Sequence, residues 1–339
     1  MLLRPFVFRL SHFIIGSGAT PNLEPGARSL EPEMRVAAID IGTNTVLLLV
    51  AERDQNGQLV AVEERATITR LGEGVDKTRK LAPAAIERTN AAIDAYAEIV
   101  ERLGVERVDV VGTSAMRDAG GGEAVRDHVR SKLGVDARTI SGDEEARLTF
   151  AGALSGIASV ASGAGVRVFD IGGGSTEVVH GKRGTSDVLF AHSYDVGSVR
   201  LTERHVKNDP PSDRELAAVR EDARGAFASV PAFASDVPPV GIAGTMTTLA
   251  AVSLRMATYD GARVHGLVLP ASEIERVVAE LAALPLDRRS TVPGLEPKRA
   301  DVIVAGGLVA LAYLEHVGAR EVMISDRGVR WGLAERLAT

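Results

Sequence analysis

The sequence predicts an α/β protein in which one fold occurs twice, with the two copies facing each other across a cleft. The order of predicted elements is three strands, then helix, strand, helix, strand and helix, which is typical of a mixed sheet covered by helices. This order starts again near residue 165, and residues 40–45 (DIGTNT) have a counterpart in residues 170–176 (DIGGGST). The 339 residues are enough for about two domains.

We expect a flexible N-terminal extension over residues 1–33, a first domain over 34–155 and a second domain over 156–339. Residues 16–33 are rich in Gly, Pro, Ser and Glu, which is typical of a loop. His12 and nearby arginines interrupt the apolar run that a secretory signal needs. We interpret the extension as a tail, or as the product of an upstream start codon with the natural start at Met34.

In the first domain, short apolar runs predict strands, and apolar residues at helical spacing predict helices. Asn56 and Gly57 form a hairpin turn signal between two strands. Ser141, with Glu144 three residues later, predicts a capping box at the start of a helix. The predicted elements are strands over 36–39, 46–51, 59–68, 108–111 and 137–140, and helices over 83–103, 123–133 and 141–154.

The second domain begins with the same design, an aspartate at the end of a strand followed by a turn of small residues. We therefore interpret the chain as an internal duplication. The predicted elements are strands over 166–170, 176–180, 188–193, 239–243 and 321–324, and helices over 212–227, 245–257, 272–284 and 297–317.

Composition excludes several classes of protein. The chain has no cysteine, which excludes disulfides, thiolate metal sites and cysteine nucleophiles, and its 7 histidines show no metal-ligand spacing. A net charge of −6 and an aromatic content of 4% argue against a nucleic-acid-binding surface. The apolar runs are far shorter than the roughly 20 residues that cross a bilayer. We therefore expect neither nucleic acid nor membrane among the partners.

The chemistry of the repeated turns favours phosphate. Glycine allows backbone N–H groups to converge on an anion, and the hydroxyl groups of both turns add donors. The aspartate before each turn suits a hard divalent cation that bridges phosphate oxygens. A third turn, over residues 241–248 (GIAGTMTT), precedes a helix whose free N–H groups offer another anion site. The alternative is a set of ordinary turns, because Gly, Asn and Ser are common turn residues.

At these residues the chain resembles the Ppx/GppA family of exopolyphosphatases and guanosine pentaphosphate phosphatases. The resemblance starts near Met34 and rests on AAIDIGTNT, TSAMRDA, ISGDEEARLTFAGAL, VFDIGGGSTEVV, DVGSVRLTE and GIAGTMTTLA. DIGGGSTE together with SGDEEA is its specific part. The resemblance implies a duplicated actin-like (ribonuclease H-like) ATPase fold in the short, two-domain form of the family.

The resemblance also implies roles for individual residues. Glu145 matches the general base that activates a water, and Asp170 and Glu177 match the acids that position this water and a Mg²⁺ ion. Asp40 matches the metal-binding acid of the first turn, and Arg117 matches an arginine that contacts phosphate. The expected phosphate-binding residues are Gly42, Thr43, Asn44 and Thr45 in the first loop, Gly172, Gly173, Gly174, Ser175 and Thr176 in the second, and Gly244 and Thr245 in the third. From chemistry alone, Glu145 also suits the helix dipole, Arg117 a surface cation and Glu177 a solvated strand position.

The implied activity is Mg²⁺-dependent hydrolysis of the terminal phosphate of inorganic polyphosphate by a cytoplasmic enzyme, with a homodimer as the suggested assembly. Guanosine pentaphosphate (pppGpp), of the stringent response, is the close alternative substrate. Relatives often carry an arginine after the first loop, in a D-x-G-S-N-S-x-R pattern, where this chain has Leu47, so polyphosphate is favoured. An ATPase or sugar kinase needs an acceptor subdomain for which the stretch between Asp40 and Asp170 leaves little room. A catalytically quiet sensor is disfavoured because all the expected acids are present.

A polyanionic substrate needs local positive charge, even in a protein with a net charge of −6. We therefore predict a basic groove. Its expected members are Arg117, Arg147, Arg200, Arg204, Lys298 and Arg299.

Overall fold

The structure, a computed structural model, describes residues 34–184 and 188–339, so the predicted N-terminal extension lies outside the described residues. The strands are β1 (Val36–Ile41), β2 (Thr45–Arg53), β3 (Leu59–Ile68), β4 (Arg107–Gly112), β5 (Ala137–Thr139), β6 (Gly165–Ile171), β7 (Thr176–Lys182), β8 (Val188–Tyr194), β9 (Val240–Ile242), β10 (Val268–Pro270) and β11 (Glu321–Ile324). The helices are α1 (Val75–Thr78), α2 (Pro83–Arg102), α3 (Ser114–Asp118), α4 (Gly122–Leu133), α5 (Gly142–Ala153), α6 (Ser198–His205), α7 (Asp213–Phe227), α8 (Ala243–Ser253), α9 (Gly261–Val264), α10 (Ala271–Ala282), α11 (Leu286–Arg289), α12 (Ile303–His316) and α13 (Val329–Leu337), with a 3₁₀ turn at Pro297–Arg299.

The strands form two mixed sheets with the same topology. The first sheet has the order β3-β2-β1-β4-β5, and the second has the order β8-β7-β6-β9-β11 with β10 added at its edge. In both sheets the first three strands of the chain pair antiparallel, and the first strand pairs in parallel with the fourth. This shared order confirms the predicted α/β duplication. The domain boundaries at 34–155 and 156–339 stay a prediction.

Both sheets are covered by helices on two faces. Alternate residues of the central strands point to opposite sides of the sheet, so each side packs against a different set of helices. In β1, Ile39 and its alternate neighbours pack with α2 and α4, whereas Val36 and Ala38 pack with α13. In β6, Phe169 packs with α7, α8 and α12, whereas Val168 packs with α5. The C-terminal helix α13 therefore covers the first sheet, and α5, which follows the first sheet in the chain, covers the second.

Most predicted elements are confirmed to within a few residues, as for β3 and α7. The single helix predicted over 297–317 is wrong: a 3₁₀ turn ends at Arg299, and α12 starts at Ile303. The capping box at Ser141 is half confirmed. The Ser141 hydroxyl accepts from Glu144 N, but the Glu144 carboxylate pairs with arginines 138 and 336. Within the described ranges, no helix combines the length and the apolarity that a membrane crossing requires.

Candidate active site

Loops from both sheets line a cavity of about 680 Å³. Its walls come from the turns after β1 and β6, the start of α5, the start of α8 and the segment before α13. The predicted site residues that line it are Asp40, Gly42, Thr43, Asn44, Thr45, Glu145, Asp170, Gly172, Gly173, Gly174, Ser175, Glu177, Gly244 and Thr245. Residues predicted from separate motifs thus share one crevice, which is the usual setting of an active site.

The two predicted phosphate loops have the same hydrogen-bonded turn. Gly42 N donates to Thr45 O at 3.0 Å, and Gly172 N donates to Ser175 O at 3.0 Å. Each turn closes an antiparallel hairpin whose first strand carries the aspartate. The repeat in the sequence is therefore also a repeat in backbone geometry.

The two loops also contact each other, which requires glycine in the second one. A Cβ atom on Gly174 would lie 3.0 Å from Thr43 Oγ1, and one on Gly173 would lie 3.0 Å from the Cβ atom of Thr43. These separations are tighter than an ordinary van der Waals contact, so a larger residue at either position would crowd Thr43 of the first loop.

The four carboxylates predicted for the site all line the cavity. Asp170 and Glu177 are directly opposite each other on β6 and β7, Asp40 is the counterpart on β1, and Glu145 lies in the first turn of α5. Burial raises the pKa of Asp40 to about 7, although Arg330 opposes the shift. Burial and the nearby negative charge of Glu177 raise the pKa of Glu145 and of Asp170 well above the usual range. A carboxylate with a raised pKa accepts a proton more readily than an ordinary carboxylate, which suits a general base.

Glu145 is held by one arginine. The guanidinium of Arg117 donates from Nη1 to Glu145 Oε2 at 3.0 Å and to the carbonyl of Ile140 at 3.3 Å. Glu145 itself is only 6% exposed. The contact between Arg117 and phosphate stays a prediction, because the guanidinium here binds the carboxylate and lies outside the cavity lining.

Ser193 is a site residue that sequence reasoning missed. Its hydroxyl donates to Glu177 Oε1 at 2.6 Å, from the position on β8 directly opposite Glu177. A Cβ atom on Gly142 would lie 2.4 Å from Ser193 Cβ, so the start of α5 packs against this serine. The only available signal was the predicted strand over 188–193, because the sequence does not specify which strand it pairs with or in which register.

The predicted basic groove is wrong for four of its six members. Lys298 and Arg299 line the cavity, but Arg117, Arg147, Arg200 and Arg204 do not. Arg200 and Arg204 form ion pairs with Asp76 instead. The cavity gains two other arginines, at positions 327 and 330, from the segment between β11 and α13. Sequence reasoning missed this segment, although Asp-Arg-Gly after a strand resembles the other turns.

The remaining predicted residues have defined partners. The Thr176 hydroxyl donates to the carbonyl of Val196 at 2.5 Å, and Thr176 lies outside the cavity lining. Thr245 Oγ1 donates to the carbonyl of Ile171 at 3.1 Å. A Cβ atom on Gly244 would lie 1.8 Å from Arg299 Nη1, so glycine here makes room for the arginine.

The donor set fits a magnesium ion bound through few protein ligands. Asp40 Oδ1 is buried and has no hydrogen-bond partner, which is the state of an oxygen that a cation would satisfy. Across 34–184 and 188–339, no group of three or more histidine, aspartate or glutamate side chains could hold a metal ion. Mg²⁺ characteristically uses one or two carboxylates and completes its shell with water and phosphate oxygens.

Replacing Asp40 by asparagine is expected to stabilise the protein at alkaline pH. The pKa of Asp40 rises from 3.8 to about 7 on folding. Protonated Asp40 therefore makes its full contribution to the free energy of unfolding below pH 3.8, and this contribution is lost as the pH rises to about 7. Asparagine cannot ionise, so the free energy of unfolding should increase by on the order of 2 kcal/mol at pH 8 and change little at pH 4. Urea unfolding in EDTA at both pH values measures this. Equal effects at the two pH values would contradict it.

The fold and the site define a class of protein, the actin-like α/β proteins, in which two sheets of the same topology place glycine-rich loops around a shared cavity. A family model and solved structures of other proteins match this chain. The model of the Ppx/GppA phosphatase family matches residues 49–338. A solved structure of the Aquifex aeolicus family member covers 90% of this chain and 98% of its own, with 35% identity and a TM-score of 0.75.

Two relatives of this chain have names that state an activity. Exopolyphosphatase 2 of Mycobacterium tuberculosis is 38% identical over 320 residues, covering 90% of this chain and 98% of the relative. Guanosine-5′-triphosphate,3′-diphosphate pyrophosphatase of Vibrio atlanticus is 27% identical and covers 88% of this chain and 58% of the relative. The chain belongs to the Ppx/GppA phosphatase family. It is a phosphoanhydride hydrolase, and the predicted family and actin-like fold are confirmed.

Proposed function

We propose that this protein is a Mg²⁺-dependent exopolyphosphatase in which Glu145 activates the attacking water. One observation carries the proposal: a buried carboxylate with a raised pKa lines the same cavity as two phosphate loops that contact each other. The Mycobacterium tuberculosis relative, named exopolyphosphatase 2, supports polyphosphate as the substrate.

The first step of the proposed mechanism is to neutralise the negative charge of the terminal phosphate. A terminal phosphate is strongly anionic and repels a nucleophile, so its charge must be neutralised and one water placed in line. The N–H groups of the two loops bind its oxygens. Asp40 and Asp170, with Glu177 beside them, would hold Mg²⁺, which supplies further neutralisation when bound.

Glu145 then removes a proton from the water. Arg117 occupies Oε2 of this carboxylate, which leaves Oε1 to accept the proton. General-base catalysis of this kind contributes about 10²–10⁴-fold. The products are inorganic phosphate and a chain shorter by one unit, and Lys298 and Arg299, which line the cavity, attract the remaining chain.

Three substrates test the proposal. Phosphate release from polyphosphate, pppGpp and ATP is measured in parallel, with Mg²⁺ and with EDTA. We expect release from polyphosphate to be fastest and to require Mg²⁺. Faster release from ATP would indicate an ATPase, and no release from any of the three would indicate a sensor. Cytoplasmic location and a homodimer stay predictions.

The second candidate substrate is pppGpp, which the name of the Vibrio relative supports. Leu47 favours polyphosphate over pppGpp. Leu47 lines the cavity and offers no donor to a nucleotide. Replacing it by arginine should raise the ratio of pppGpp to polyphosphate hydrolysis by about 10-fold, the effect of one charge-assisted hydrogen bond. Competition between the two substrates measures this ratio, and Leu47→Met is the control that should leave it unchanged. A lower ratio in Leu47→Arg would contradict the prediction.

A further inference from the structure

Arg200 is a buried arginine that the mechanism above does not use. It lies on α6, beside the second sheet, and is 7% exposed. All three of its guanidinium nitrogens have partners: Nε donates to the carbonyl of Gly174 at 2.6 Å, Nη1 to Asp76 at 3.2 Å and Nη2 to Asp118 at 2.8 Å. A guanidinium can bridge three acceptors in this way because its donors are fixed in one plane.

The first of these contacts acts on the second phosphate loop. Arg200 Nε donates to the carbonyl of Gly174, so the side chain binds one peptide group of the loop. The backbone N–H of Arg200 also donates to the carbonyl of Gly173 at 3.0 Å. One residue thus fixes two successive peptide groups of the loop.

The contact with Asp118 leads toward the general base. Asp118 lies on α3 and accepts from Ser114 Oγ at 3.1 Å as well as from Arg200. Its other carboxylate oxygen is 3.7 Å from Nε of Arg117, the arginine that holds Glu145. Alternating charges therefore connect the second phosphate loop with the base, through residues of both halves of the molecule.

We propose that Arg200 is a positioning residue of the hydrolase: it fixes the second phosphate loop and, through Asp118 and Arg117, the orientation of Glu145. The proposal rests on the proposed roles of Glu145 and of this loop. Arg200 does not contact the substrate. Its effect is to set the loop and the base in one geometry, and a small displacement of either group is expected to lower the rate of the chemical step.

The test uses Arg204 as a matched control. Arg204 lies one turn further along α6 and pairs with the same Asp76, but not with Gly174 or Asp118. We expect Arg200→Met to lower kcat by on the order of 10- to 100-fold with KM changed less than about 3-fold. Arg204→Met should retain kcat within about 2-fold, because an exposed ion pair contributes little. Arg200→Lys keeps the charge but cannot bridge three acceptors, so it should resemble Arg200→Met.

The test measures kcat and KM on the phosphoanhydride that the wild type hydrolyses fastest. Thermal unfolding of each variant shows whether it is folded. If Arg200 acts on Glu145 through Asp118, Arg200→Met combined with Asp118→Asn loses no more activity than Arg200→Met alone. Additive losses, equal losses in the Arg200 and Arg204 variants, or an unchanged kcat in folded Arg200→Lys would each overturn the proposal. Full activity of Glu145→Gln would overturn it together with the proposed function, whereas an inactive Glu145→Gln beside a fully active Arg200→Met would overturn it alone.

Discussion

Replacing Glu145 by glutamine is expected to lower kcat by about 10²–10⁴-fold, the contribution of a general base. Glutamine has nearly the same shape and can still accept a hydrogen bond from Arg117, but it cannot take a proton from water. The fold should survive, because burial opposes the charge of Glu145 and the neutral amide removes that cost. Phosphate release at saturating polyphosphate, with thermal unfolding as the test of folding, measures both expectations.

Glu144→Gln is the matched control for this prediction. Glu144 is the preceding residue on α5, but its carboxylate pairs with Arg138 and Arg336 and does not line the cavity. Its replacement should change kcat by less than about 3-fold. The pH profile gives a second readout: since the pKa of Glu145 is raised above its usual 4.5, activity should fall with decreasing pH through a range above 4.5. Equal activity of the Glu145 variant and the wild type would exclude Glu145 as the base.

The sequence could predict the duplication and the main site residues because both depend on local pattern. Asp40 and Asp170 each follow a short apolar run and precede a turn of small residues, so their position at the edge of a sheet is determined within about ten residues of chain. The glycine-rich loops are equally local, because a tight turn restricts which residues fit.

Long-range partners could not be predicted in this way. Arg200 and Arg204 have the same local surroundings on α6, yet one contacts a phosphate loop and the other lies at the surface. Helices α3 and α6 are 5 and 8 residues long, too short to give a clear apolar period. The arginines at 327 and 330 enter the cavity because α13 returns to the first sheet, a path that no local pattern specifies.

Replacing Gly332 by alanine is expected to destabilise the protein by about 3 kcal/mol. Gly332 lies where α13 crosses α5, and a Cβ atom on it would be 2.1 Å from the carbonyl oxygen of Leu148. A backbone carbonyl cannot move aside as a flexible side chain can, so the two helices must separate. Urea unfolding followed by the fluorescence of Trp331, the chain's one tryptophan and a buried one, measures the loss.

Gly225→Ala tests whether the loss comes from the helix crossing. Gly225 lies in α7, and a Cβ atom on it would meet nothing within 4 Å. Because alanine favours a helix over glycine by about 1 kcal/mol, this variant should be more stable than the wild type, so the same substitution has opposite signs at the two positions. Activity should fall in Gly332→Ala as well, since α5 carries Glu145 and any separation of the helices moves the base away from the phosphate loops. A Gly332→Ala protein as stable and as active as the wild type would show that the α5–α13 crossing does not position the base.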